Sequence, residues 1–291
     1  MEVLPFLLAP FVASLILTGI HAYLGVHVVE RGVIFVDLAL AQIAALGAVV
    51  AIVIGIDPHA SGAYWISLGF TFFGAAVFAL ARSRRVHIPQ EAFIGIAYAV
   101  ASAAAILAMS KATGETEHLK DMLVGNILAV SWPEVGKTAL LYGAVGLFHY
   151  IFRDKFLAIS LSHSHAEVPG LSVRLWDFLF YASFGFVVTS SVAIAGVLLV
   201  FCYLIVPSVA AMLYAEHIGK RLAIGWTMGT VVSALGVYLS LILDLPTGAT
   251  IVCTFGLVLA LMALARAVVP RSVEEAVHPL DYAERVKGRR A

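Results

Sequence analysis

Charge is what this chain lacks. Asp, Glu, Lys and Arg make up 12% of its 291 residues, about half the share usual in a soluble domain. The two signs cancel, 18 basic against 18 acidic residues. A neutral chain with a pI near 7.2 offers no basic surface for a nucleic-acid backbone. From Phe178 to Ala215 there are 38 residues without one Asp, Glu, Lys, Arg or His. A helix crosses a bilayer with roughly 20 apolar residues, so this run is too long for one crossing and fits two joined by a tight turn. Cysteine is scarce as well. Cys202 and Cys253 both lie in apolar runs and read as small buried hydrophobes rather than as a disulfide. The opening residues, Met1-Glu-Val-Leu-Pro5, lack the basic stretch of a secretory leader, so the first apolar run reads as a retained helix.

What the chain has instead is apolar surface: 62% hydrophobic residues and a mean hydropathy of +0.99. No stretch is left over for a soluble catalytic domain. Nine apolar segments can be marked, at about 4–26, 33–56, 62–81, 91–110, 133–152, 176–193, 195–215, 222–243 and 248–269. The fold class is therefore an all-α polytopic transmembrane bundle of about nine spans. Eight crossings and a re-entrant piece are the alternative, because the turn near Thr189-Ser-Ser191 is weakly marked. Residues 1–270 form one membrane domain with a polar loop at about 153–175, and residues 271–291 form a short polar tail.

Lys and Arg in the loops orient such a bundle, since cytoplasmic loops carry the excess. One set of alternate loops and the tail holds fifteen of them, from Arg31 through Arg82, Arg153, Lys220 and Arg221 to Arg290, against Lys111, Lys120 and Lys137 on the other side. The richer set is expected in the cytoplasm, with the C-terminus inside and the N-terminus outside. The second half of the outer loop 111–132 is apolar enough to lie along the membrane surface.

Asp37 is the sharpest single residue. A carboxylate at the bilayer centre costs about 2.5–3.5 kcal/mol even on a lenient scale. Two readings stand: a ligand on a cation pathway, or a helix N-terminal carboxylate at the interface, favoured by the macrodipole. Gln42 lies deeper and reads first as a helix–helix hydrogen bond. Around it small residues recur at four-residue spacing, Ala41/Ala45, Ala44/Ala48 and Gly47/Ala51, which suits close packing. The histidines read as solvated interface residues. His21 and His27 flank the inner end of the first span, His59 and His118 sit in outer loops, and His163 and His165 in an inner one. None has the spacing of a closed metal site. Within the inner loop Ala158–Leu161 could form a short turn along the membrane surface, and Pro169-Gly170 would end the loop sharply.

Ala195-Gly-Val-Leu-Leu-Val-Phe-Cys-Tyr-Leu-Ile-Val-Pro-Ser-Val-Ala-Ala211 resembles the late-span signature of the membrane permease subunits of bacterial ABC importers for zinc, manganese or iron chelates. Ala166-Glu-Val-Pro-Gly-Leu171 is similar to the cytoplasmic element of that family, and Leu123–Val130 and Leu245–Ala249 resemble further stretches. The resemblance covers about residues 30–260. It implies a homodimer around a central pathway in a bacterial plasma membrane. Two cytoplasmic ATPase subunits would dock on Ala166, Glu167, Val168, Pro169, Gly170 and Leu171, and an extracytoplasmic metal-binding protein would deliver the cargo. Gly47, Gly196 and Pro207 fall to packing within the signature. The implied activity is translocation of a divalent metal ion, with no permanently bound cofactor and with ATP hydrolysed on the partner. The chain itself carries no Gly-rich Lys loop for phosphate.

One departure stands out. Many family members carry an Asp-x-x-x-His pair in the second span, proposed to line the metal path. Here the fourth residue after Asp37 is Ala41, and alignment on Gly47 brings Gln42 to the histidine's place. An amide is a much weaker ligand than imidazole for Zn²⁺ or Mn²⁺. Two rivals are weaker. A secondary cation carrier should show inverted repeats and several buried acids, where this chain offers one candidate acid and no clear repeat, and an intramembrane enzyme should bring a base to Ser190 or Ser191, which have no His or Lys nearby.

Overall fold

The computed structural model describes residues 3–57, 60–81, 89–110, 127–161 and 172–268. Among these, every regular element is a helix: α1 (Val3–Arg31), α2 (Val36–Val53), α3 (Ser61–Ala81), α4 (Gln90–Met109), a 3₁₀ turn (Ile127–Ala129), α5 (Trp132–Ile151), α6 (Arg153–Leu161), α7 (Val173–Tyr214), α8 (Ile218–Leu243) and α9 (Thr247–Val268). In hydrocarbon the backbone must satisfy its own hydrogen bonds, and a helix does so within one segment.

Local chemistry sets the helix ends. Gly32, at φ +67°, closes α1 with two carbonyl contacts, Gly32 N–H to Val29 O at 3.1 Å and Val33 N–H to Val28 O at 3.2 Å. This is the paired pattern of a Schellman end. At the start of α5 the Ser131 backbone N–H donates to the Glu134 carboxylate at 2.8 Å, and the Ser131 hydroxyl donates to the same oxygen at 2.6 Å. That is the backward half of a capping box.

Seven helices, α1–α4 and α7–α9, are long and apolar enough to cross a membrane, and α5 with α6, bent by 75° from it, makes an eighth. With 42 residues, α7 has about twice the length one crossing needs. Its contacts with α1 show what it does with the excess. Asp177 meets Arg31 and Ser191 meets His21, so the first half runs against α1. Ser208 then meets Ala22, and Ala215 accepts from Arg221, whose partner Glu30 is back at the end of α1. The second half therefore runs with α1. The reversal sits at Gly196 (φ 76°, ψ 160°), a backbone region essentially restricted to glycine. The 38-residue uncharged run is a helical hairpin, two legs of about 30 Å each at 1.5 Å per residue. Its turn lies five residues beyond the expected Thr189–Ser191, which is helical throughout.

The other helices alternate accordingly. Glu91 at the start of α4 accepts from Phe35 N–H, so the 81–90 connection shares an end with 31–36, and Tyr214 reaches Met262 near the end of α9. The helix ends at residues 31, 36, 81, 90, 161, 173, 214 and 218 thus lie at one end of the bundle. Those at residues 53, 61, 109, 132, 243 and 247 lie at the other.

The core is built on α1 and the α7 hairpin, with Leu17, Leu24, Phe180, Phe184 and Tyr203 fully buried. Backbone approaches backbone where glycine permits. A Cβ on Gly25 would stand 2.0 Å from the Leu204 carbonyl oxygen, and one on Gly47 would stand 2.7 Å from Ser67 Cα. Outward, Phe73, Leu107, Leu140 and Val268 are among many exposed apolar residues, as a lipid-facing surface requires. Cys253 belongs to that exposed surface rather than to the core, whereas Cys202 is buried.

Two further expectations change. The first helix continues to Arg31 instead of ending near residue 26, because Arg31 is drawn into the fold by Asp177. The turn at Ile127–Ala129 does not simply rest on the surface, since Ile127 is buried in the core cluster.

Candidate ion-pathway carboxylate and a buried polar network

Asp37 is the second residue of α2 and is buried there, 1% exposed. Its place in the first helical turn agrees with a macrodipole role. Its burial does not agree with a solvated interface position, and neither carboxylate oxygen has a hydrogen-bond partner among the described residues. Gln42, 8% exposed, follows on the same helix. Five residues of separation turn it about 140° around the axis from Asp37, so α2 alone does not aim both at one ion. Gly47 is a packing residue, pressed against α3. Among the described residues no three His, Cys, Asp or Glu converge as a metal site. The segment Ala166–Leu171 and His59, His118, His163 and His165 lie outside the described residues.

The structure gathers polar side chains elsewhere, where the sequence reading put few. His21 and His27 are fully buried, 0% and 1% exposed, not solvated. His21 Nδ1 pairs with the Leu17 carbonyl at 2.8 Å and its Nε2 with Ser191 Oγ at 3.1 Å. The Tyr142 hydroxyl joins Ser191 at 2.6 Å. Nearer the end of α1, His27 Nδ1 pairs with Ser160 Oγ at 2.8 Å, and Arg31 donates to Ser160 and to Asp177, both at 2.8 Å. The Arg31 guanidinium also lies over the Phe180 ring, 3.9 Å from its centroid. His149 links Tyr23 at 3.2 Å to Ser183 at 2.8 Å and stacks on Phe156 at 4.3 Å. In this way polar contacts tie α1, α5, α6 and the first leg of α7 together in a dry region, where a missing partner is costly.

Ser191 does meet a histidine, a correction to the expectation that no base lies near it. The pair is sealed, Ser191 being 0% exposed, and Ser191 Oγ also donates to the Val187 carbonyl at 2.5 Å. No substrate can reach such a hydroxyl. The sequence did carry a signal for part of this network. Ser14, Thr18 and His21 recur at spacings of four and three, a polar stripe on one face of α1, and Tyr142 and His149 stand seven apart on α5. Pro207 lies in the second leg of α7, packed where Gly225 of α8 comes close: a Cβ on that glycine would lie 3.5 Å from the Pro207 carbonyl oxygen.

Known proteins resemble this chain in sequence and in fold. The chain is 30% identical over 202 residues to the manganese transport system membrane protein MntC of Listeria innocua, covering 67% of this chain and 71% of that protein. It is 29% identical over 239 residues to a protein of Haemophilus influenzae described as a probable iron transport system membrane protein, covering 82% and 86%. Among solved structures, PsaBC from Streptococcus pneumoniae in complex with Fab superposes with a TM-score of 0.73 at 22% identity, over 88% of this chain and 90% of that one. The model of the ABC 3 transport family matches residues 3–267, nearly the whole helical bundle, and the chain belongs to that family.

Proposed function

We propose that this protein is the translocation subunit of an ATP-driven importer of divalent metal ions, with manganese, iron or zinc as cargo. The observation that carries the reading is the family match across residues 3–267, and the relatives described as manganese and iron transport proteins support the cargo class. The chain supplies the path and a partner supplies the ATP hydrolysis. An extracytoplasmic metal-binding protein delivers the ion, two copies of the chain surround the pathway, and cytoplasmic ATPases act on Ala166–Leu171. The end bearing the basic loops faces the cytoplasm.

Within the chain, Asp37 is the ion-contacting residue of choice. A buried carboxylate without a hydrogen bond is costly and is stabilised when a cation passes. A hard oxygen ligand suits Mn²⁺, and Gln42, turned away from Asp37 on α2, offers an amide oxygen at a separate point of the path rather than to the same ion. The test is uptake of radiolabelled manganese, iron and zinc by cells that lack their own importers and express this chain with its ATPase and binding protein. Asp37→Asn should lower uptake at least tenfold while Asp37→Glu retains a measurable part. Uptake by Asp37→Asn at the native rate would return Asp37 to packing, and uptake without the ATPase, driven by a proton gradient, would overturn the importer reading.

A further inference from the structure

Between α1, α5 and α8 lies an open cleft of about 580 Å³. Glycines make the space. Gly19 of α1 and Gly143 and Gly146 of α5 line it, and a Cβ on any of the three meets nothing within 4 Å. From Ala139 to Arg153 the cleft follows α5 and its corner for about 20 Å at 1.5 Å per residue.

Apart from the exposed Tyr150, whose ring lies under Arg153, the polar side chains along the cleft are already engaged inside the fold. Tyr23 pairs with His149, His149 with Ser183, and Tyr142 with Ser191, while the Trp226 indole N–H donates to the Gly19 carbonyl at 3.0 Å. The lining therefore offers hydrocarbon a surface and brings no cluster of free ligands to an ion. One end differs. Arg153 stands at the corner between α5 and α6, beside Ile218 in the first turn of α8. Its side chain is 54% exposed and lies 3.7 Å from Asp154, itself 92% exposed. So loose a surface pair contributes little and leaves Arg153 able to take another anion.

An acyl chain fits this cleft, and the cationic end matches a phosphate at the membrane surface. We infer that the cleft binds one anionic phospholipid per protomer, an acyl chain lying against Gly19, Gly143 and Gly146 and the phosphate held by Arg153.

Native mass spectrometry of the full chain in detergent, loaded with phosphatidylglycerol or phosphatidylcholine, tests this. The native protein should keep one phosphatidylglycerol through delipidation. Gly143→Leu/Gly146→Leu, which fills the cleft, should lower retention at least tenfold with an unchanged melting temperature. Arg153→Gln should keep a lipid but lose the preference for phosphatidylglycerol. If the filled variant fails to fold, Gly146→Leu alone and Arg153→Gln carry the test. Native protein without bound lipid, a filled cleft that retains lipid as before, or an unchanged preference in Arg153→Gln would each overturn the assignment. Metal uptake is not the readout, so failure here leaves the proposed transport function standing.

Discussion

Arg31 shows how far a single side chain can move the reading of a sequence. Beside Gly32 it looks like the first cation of a cytoplasmic loop. In the fold it is enclosed, 2% exposed, with its guanidinium on Asp177, which is 0% exposed. Such a pair adds little net stability over an apolar replacement, but removing Arg31 takes an ion-pair partner from a buried carboxylate, a loss that reaches about 3–5 kcal/mol in a dry site. Arg31→Met should therefore lower the melting temperature in detergent by several degrees, and Arg31→Met/Asp177→Leu should recover most of the loss. A double variant no more stable than the single one would show that Asp177 does not depend on Arg31. Residue identity hides such pairs because their partners are far apart in the chain: Arg31 from Asp177, His21 from Ser191, His27 from Ser160. Asp37 was legible because a carboxylate in an apolar run is conspicuous without a partner. His149 was not, since one histidine near a helix end looks the same whether it faces water or Ser183.

At the scale of the element, the α7 hairpin depends on one glycine. Composition gave two crossings in the 38-residue run, because length and hydropathy are local sums. The position of the turn was not legible, because Thr189-Ser-Ser191 looks like a turn but spends its hydroxyls inside the fold, Thr189 on Thr71 and the two serines on Val187 and Tyr142. Gly196 carries the conformation instead. Gly196→Ala puts a Cβ into a backbone region worth about 1–3 kcal/mol of strain and should lower the thermal midpoint accordingly. A midpoint equal to the native one would mean that the reversal does not need this φ. Gly25→Val should be more severe. A Cβ there would already stand 2.0 Å from the Leu204 carbonyl oxygen and 2.3 Å from Ser208 Oγ, so α1 and the second leg of α7 must separate. Loss of monodisperse protein on size exclusion is the expected outcome, and a normally folded Gly25→Val would refute the close contact.

Across the described residues, successive helix ends gather at opposite ends of the bundle, and the basic residues follow them. Arg31, Arg153, Lys155, Lys220 and Arg221 belong to one end, while the other keeps Lys137 near the start of α5. The charge pattern and the helical contacts are independent observations, one set by membrane insertion and the other by packing, and they divide the chain in the same way. Among the described residues seven helices and one bent pair are long and apolar enough to cross, and counting the two legs of α7 separately raises that eight to the nine expected. The consequence can be measured by accessibility. Cys202→Ala/Cys253→Ala removes the two native thiols, and Ser61→Cys and Glu216→Cys then place one thiol at an exposed position at each end. A membrane-impermeant maleimide should label Ser61→Cys on intact cells and Glu216→Cys only after permeabilisation. The reverse pattern would invert the proposed orientation. Labelling of both from outside would break the alternation itself, because the α7 hairpin and α8 place residues 61 and 216 at opposite ends only if each leg crosses.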